Sequence, residues 1–184
     1  NLVSKYRLEP AISSYWPMNE DGGTTLVDSI NTRNFTLITP TWISAGGVIS
    51  GTSCITNTAG SLSSGALYDF ALTDKFTIEF WTKTEQEDIT FITKDVVDNK
   101  SVNIFMESGY LKFSIGSLSS ESTLQSQDKI NTGIYNHIVC TYNGNSFQYG
   151  MNMFINGLRV ETTKTGLTTL IDGCNTNLPL TINS

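Results

Sequence analysis

Short runs that alternate apolar and polar residues recur along the chain, each closed by a turn signal. Alternation with a period of two is the signature of strands with one buried face. "KFTIEFW" sets Phe76, Ile78 and Phe80 on one face and Thr77, Glu79 and Trp81 on the other. "SVNIFMES" alternates Val102, Ile104 and Met106 against polar neighbours, and "YLKFSIGS" aligns Leu111, Phe113 and Ile115. "HIVCTYNG" aligns Ile138, Cys140 and Tyr142, and "MNMFING" aligns Met151, Met153 and Ile155. Asn156-Gly157 sits between "MNMFI" and "LRVETT", and Asn-Gly supplies the positive φ angles of a type I′ hairpin turn. No amphipathic helical period runs beyond a short window. Helix is expected only as a turn around Asp69 to Thr73 or Leu124 to Lys129. These signals predict an all-β chain, an antiparallel β-sandwich or jelly roll. The small, polar stretch from Ser44 to Ala66 resembles a linker, but Ile49, Ile55 and Leu62 predict strands joined by loops.

The chain has 184 residues, of which 39% are hydrophobic, enough for one core. Its net charge is −6, which disfavours nucleic acid and anionic membranes because phosphate is held mainly by Lys and Arg. No apolar run approaches the ~20 residues of a membrane span. The first residue is Asn1 and no leader is visible, so a mature or excised product is expected. Cys54, Cys140 and Cys174 are odd in number and match no zinc spacing. One disulfide with one free thiol, or three reduced cysteines, both remain open, with small buried apolar residues the simpler reading.

Five segments in order then resemble a laminin-G-like domain of the concanavalin A-like lectin/glucanase superfamily. The opening is "YWPMNEDGGTTLVDSINTRN", Tyr15 to Asn34. "FTIEFWTK" and "FITK" follow. "YNHIVCTYNG" resembles a Trp-x-His-x-x-x-Thr-Tyr-x-Gly strand, with Tyr135 at the Trp position, and "MFINGLRV" resembles the family's Asn-Gly hairpin. The resemblance covers residues 14–184, with 1–13 as an N-terminal extension or edge strand. It also implies a further closing strand that these residues do not contain. A C-terminal truncation, the N-terminal segment or a neighbouring subunit would account for it. The turn after Asp28-Ser29 lacks the family's glycine, and Asn31 is expected to take a left-handed conformation there.

His137 is the chain's one histidine. Catalysis would require a nucleophile and an orienting acid. No sequence neighbour supplies them, so a partly buried, hydrogen-bonded core histidine is expected. The resemblance implies calcium, which takes six to eight oxygen ligands. Asp28 is the first candidate ligand, followed by Asn31 and Asn19. The alternative is that Asp28 braces a turn through hydrogen bonds. Glucanase chemistry needs paired carboxylates. Glu85, Glu87 and Asp88 depart from that spacing, and Glu79 stands alone, so no enzyme is expected. Sugar is held by aromatic faces and polar groups on loops. Tyr149, Gln148, Asn145, Tyr110 and Tyr68 are the candidates, with Phe147 and the three tryptophans, Trp16, Trp42 and Trp81, expected in the core. Asn34 and Asn99 fit glycosylation triplets. The resemblance thus implies a non-catalytic carbohydrate-binding or adhesion module of a larger secreted or surface-displayed protein, with a glycan or glycoprotein as partner. The alternative is a structural or host-attachment module of a phage or viral appendage, packed against sister subunits. A glycan hydrolase is the third. Each implies an extracellular, cell-surface or virion-surface location.

Overall fold

A computed structural model describes residues 12–48, 54–56, 59–62, 68–97, 100–116, 121–170 and 179–182. Ile49, Asn99, Cys174 and residues 1–11 lie outside the described residues. The chain forms two compact units, Asn1–Ser63 and Ser64–Ser184.

The first unit contains β1 (Thr25–Leu26), β2 (Phe35–Ile38), β3 (Thr41–Ile43), β4 (Cys54–Thr56) and β5 (Ala59–Leu62). β2 pairs antiparallel with β1 and β5, and β3 pairs with β4. Alternation in "FTLI" turns Phe35 and Leu37 inward, next to buried Leu26. Trp16 lies edge-on to Phe35, with ring centroids 4.9 Å apart. The turn after Asp28 forms without a left-handed Asn31, which has no positive φ.

The second unit contains β6 (Phe76–Thr82), β7 (Ile89–Val97), β8 (Lys100–Glu107), β9 (Tyr110–Gly116), β10 (Ser122–Lys129), β11 (Asn136–Tyr142), β12 (Met151–Ile155), β13 (Leu158–Arg159), β14 (Thr162–Gly166) and β15 (Leu180–Ile182). One sheet is ordered β13-β12-β11-β6. In the other, β15, β7, β8, β9, β10 and β14 pair antiparallel in that order. Their apolar faces meet: Phe76 lies edge-on to Phe113 at 6.3 Å, and Phe80 approaches Phe91 at 5.5 Å. Val102, Ile104, Leu111, Phe113, Ile138, Cys140 and Met153 are fully buried between the sheets, as alternation predicts. Asn156 and Gly157 both have positive φ, and Ile155 pairs with Leu158 across them, which makes the expected hairpin.

Two expectations need correction. Leu124 to Lys129 is not a helical turn but part of β10. The helical turn that does form is a 3-10 segment at Gln148–Gly150. A charged residue also enters the core: Lys94 is fully buried, and its ammonium lies 2.9 Å from Asp69.

Candidate functional site

Between β11 and β12 the chain does not make a tight hairpin. Residues 143–150 form a loop whose backbone is tied down at nearly every position. Asn143 Oδ1 accepts from Asn145 N–H (3.1 Å), and Asn145 Oδ1 accepts from Phe147 N–H (3.0 Å). Both are local side-chain-to-backbone bonds of the kind that make Asn a turn residue. Tyr142 Oη accepts from Ser146 N–H and donates to Leu72 O. Burial pushes the Tyr142 phenol above its ordinary value, although the bond from Ser146 acts the other way. On the far side Gln148 N–H donates to Thr168 O, and Leu170 N–H donates to Ser146 O.

This scaffold displays two rings. Phe147 and Tyr149 stack nearly parallel, 5.0 Å between centroids and 14° between planes. Tyr149 is 62% exposed and Phe147 37%. Phe147 is therefore not in the core, contrary to expectation. Gln148, expected at the surface, is 4% exposed, and its amide donates to Thr165 O (2.6 Å) and Thr123 O (3.3 Å). The 3-10 turn explains both corrections, since it sends Gln148 inward and leaves its neighbours out. Asn145 belongs to the same loop, with its side-chain oxygen engaged by Phe147. Tyr110 and Tyr68 stand on other elements. Lys129 Nζ lies 5.8 Å over the Tyr110 ring, so one face is occupied. Tyr68 has positive φ and leans on Phe70 at 6.4 Å.

In the first unit Asp28 is 4% exposed and its carboxylate is ringed by donors. Oδ1 accepts from Tyr15 N–H and Ile30 N–H, each at 3.0 Å, and Oδ2 accepts from the Ser14 hydroxyl at 2.6 Å. Burial raises its pKa, but these bonds and one from Asn31 N–H together outweigh burial and hold it below the ordinary value. Asn31 Nδ2 donates to Ser13 O (2.6 Å), and Asn19 is exposed. Calcium needs converging oxygens. Here the carboxylate meets N–H and O–H hydrogens, so Asp28, Asn31 and Asn19 as arranged do not fit the ion. No group of three or more His, Cys, Asp or Glu able to hold a metal occurs among the described residues. Asn34 Oδ1 accepts from Asp28 N–H and so serves the same brace.

The remaining acids are dispersed. Glu87 pairs with Lys129 at 3.0 Å, and Asp88 accepts from Ser108 N–H. Glu79 Oε1 lies 3.0 Å from His137 Nε2. His137 and Cys140 face opposite sides of β11. Burial pushes the Cys140 thiol above its ordinary value and so disfavours the thiolate.

Two facing antiparallel sheets, with an anchored loop presenting aromatic rings, define a jelly-roll sandwich of the concanavalin A type. The chain belongs to the Concanavalin A-like lectin/glucanases superfamily, whose laminin-G-type sequence profile matches residues 55–183. Similar solved structures include the receptor-binding domain of botulinum neurotoxin D, at 14% identity and TM-score 0.62, covering 92% of this chain and 44% of that one. The binding domain of botulinum neurotoxin DC in complex with rat synaptotagmin II gives 17% and 0.60, covering 92% and 43%. A botulinum neurotoxin type C structure, from work on cell entry dependent upon two ganglioside molecules, gives 17% and 0.55, covering 92% and 42%. The chain thus spans less than half of each, and at these identities the likeness is one of fold. No curated protein sequence matches.

Proposed function

We propose that the protein is a non-catalytic binding module that takes carbohydrate on the Phe147–Tyr149 ledge, in an extracellular or surface-displayed setting. The carrying observation is the exposed parallel ring pair on a loop already fixed by hydrogen bonds. An exposed aromatic side chain on a rigid backbone offers a large contact area at little further entropic cost. The C–H face of a pyranose stacks on such a ring, while its hydroxyls reach polar groups around it. Asn143 and Asn145 stand in the same loop. The superfamily and the binding-domain fold support a binding role, and ganglioside interaction, described for neurotoxin type C, is a glycan precedent on this fold. Fold alone would not carry it.

A glycan array followed by isothermal titration is the test. Tyr149→Ala should weaken binding of the glycan found by about tenfold or more, the scale of one lost aromatic contact, with thermal stability unchanged. A blank array, or full affinity in Tyr149→Ala, overturns the reading.

A further inference from the structure

The outer face of the sheet β13-β12-β11-β6 carries a second arrangement that the loop reading leaves unused. Alternation along β6 turns Glu79 and Trp81 away from the core, and alternation along β11 turns His137 the same way. The ladder sets His137 directly opposite Trp81. The two rings stack at 4.7 Å and 28°, and His137 Nε2 holds Glu79 Oε1 at 3.0 Å. One imidazole therefore fixes both an indole and a carboxylate.

Trp81 is 49% exposed. β6 ends its sheet, so among the described strands the indole has a stacked neighbour on one side only. The Nε1–H groups of Trp16 and Trp42 donate to the carbonyls of Arg33 and Gly23, each at 2.9 Å. That of Trp81 has no acceptor among the described residues. Two positions before it on the same strand, about 7 Å away, stands exposed Glu79, and just past the strand's end the ammonium of exposed Lys83 lies 6.0 Å over the Tyr135 ring. A flat apolar face thus lies beside an acceptor, with an N–H on its own edge that no described residue accepts.

We infer that Trp81 is the platform of a second saccharide subsite, for a neutral hexopyranose unit. Hydroxyl groups both donate and accept, so they satisfy Glu79 and the indole N–H together. A polyanion would meet the Glu79 carboxylate and a chain of net charge −6. His137 is a positioning residue that holds the indole and the carboxylate in place. The inference rests on the carbohydrate reading for its ligand class but uses none of the ledge residues.

The test is the ¹H–¹⁵N spectrum of the tryptophan indoles of the full chain, titrated with methyl glucoside, methyl galactoside, N-acetylglucosamine, cellobiose and lactose. The Trp81 resonance, assigned by its loss in Trp81→Phe, should shift saturably with one of these sugars while those of Trp16 and Trp42 stay. Tyr149→Ala should leave that shift intact. Glu79→Gln and His137→Ala should each weaken it by about tenfold at unchanged melting temperature. His137→Phe, which keeps a ring stacked on the indole, should restore most of the response. A static Trp81 signal alongside Tyr149-dependent binding overturns this inference alone. No shift with any of these sugars and a blank array overturn both. A Trp81 shift that follows protein concentration instead of sugar makes the face a self-association surface and also overturns it.

Discussion

The carboxylate of Asp28 gains its stability from four donors, and this sets how its contribution depends on pH. A carboxyl whose folded pKa lies below the unfolded value, ordinarily 3.8, stabilises the fold above that value. The contribution is lost as pH falls through the folded pKa. Asp28→Asn should therefore cost about 1.5–3 kcal/mol near neutrality, the scale of hydrogen bonds to a buried charge. The difference from wild type should shrink as pH drops below 4, which urea denaturation at pH 7 and pH 3 would check. A constant difference would deny the brace. The same donors lead to a second expectation: millimolar calcium should leave the melting temperature unchanged, read by calorimetry with and without chelator. A calcium-dependent rise abolished by Asp28→Ala would restore the metal role. The sequence placed Asp28 at a turn because Asp-Ser with nearby Asn is turn chemistry. It could not show that the surrounding backbone would present hydrogens instead of oxygens.

At the scale of elements, the strands were legible wherever large apolar residues alternate, because one buried face imposes that period. β10 was not, since its inward positions are Ser122, Leu124 and Ser126. Two of the three are hydroxyls, and Ser126 is held inside by accepting from Leu111 N–H and donating to Asp128 O. Polarity there masked a buried face. Trp81 shows the opposite case. Alternation already placed it opposite Phe80, on the outer side, but family resemblance assigned it to the core. In the loop 143–150 the sequence marked Asn145 and Tyr149 as displayed residues but not the hydrogen bonds that fix them. The loop's working geometry depends on Gly150, where a Cβ would run into the side-chain oxygens of both Asn143 and Asn145. Those oxygens accept the loop's own N–H groups, so they cannot move without releasing Asn145 and Phe147. Gly150→Ala should cost about 1–3 kcal/mol as an overpacking change and lower the melting temperature by a few degrees. It should also weaken glycan binding as strongly as Tyr149→Ala, although it touches no ligand. Unchanged binding would mean the ledge does not depend on its scaffold.

For the molecule as a whole, the charge balance separates neutral from anionic ligands. The chain carries 11 Lys and Arg against 17 Asp and Glu. The rings on the ledge bind through surface contact and dispersion, which salt does not screen, whereas attraction between exposed charges falls away beyond roughly 10 Å at 0.1 M ionic strength. A neutral glycan on Tyr149 should thus keep its affinity within about twofold as sodium chloride rises from roughly 50 to 500 mM, measured by titration calorimetry. A sulfated polysaccharide should show no retention on the protein at physiological salt, because a net charge of −6 repels it. Should affinity instead drop steeply with salt, the ligand would be held by ion pairs. The aromatic ledge would then be secondary to a charged surface.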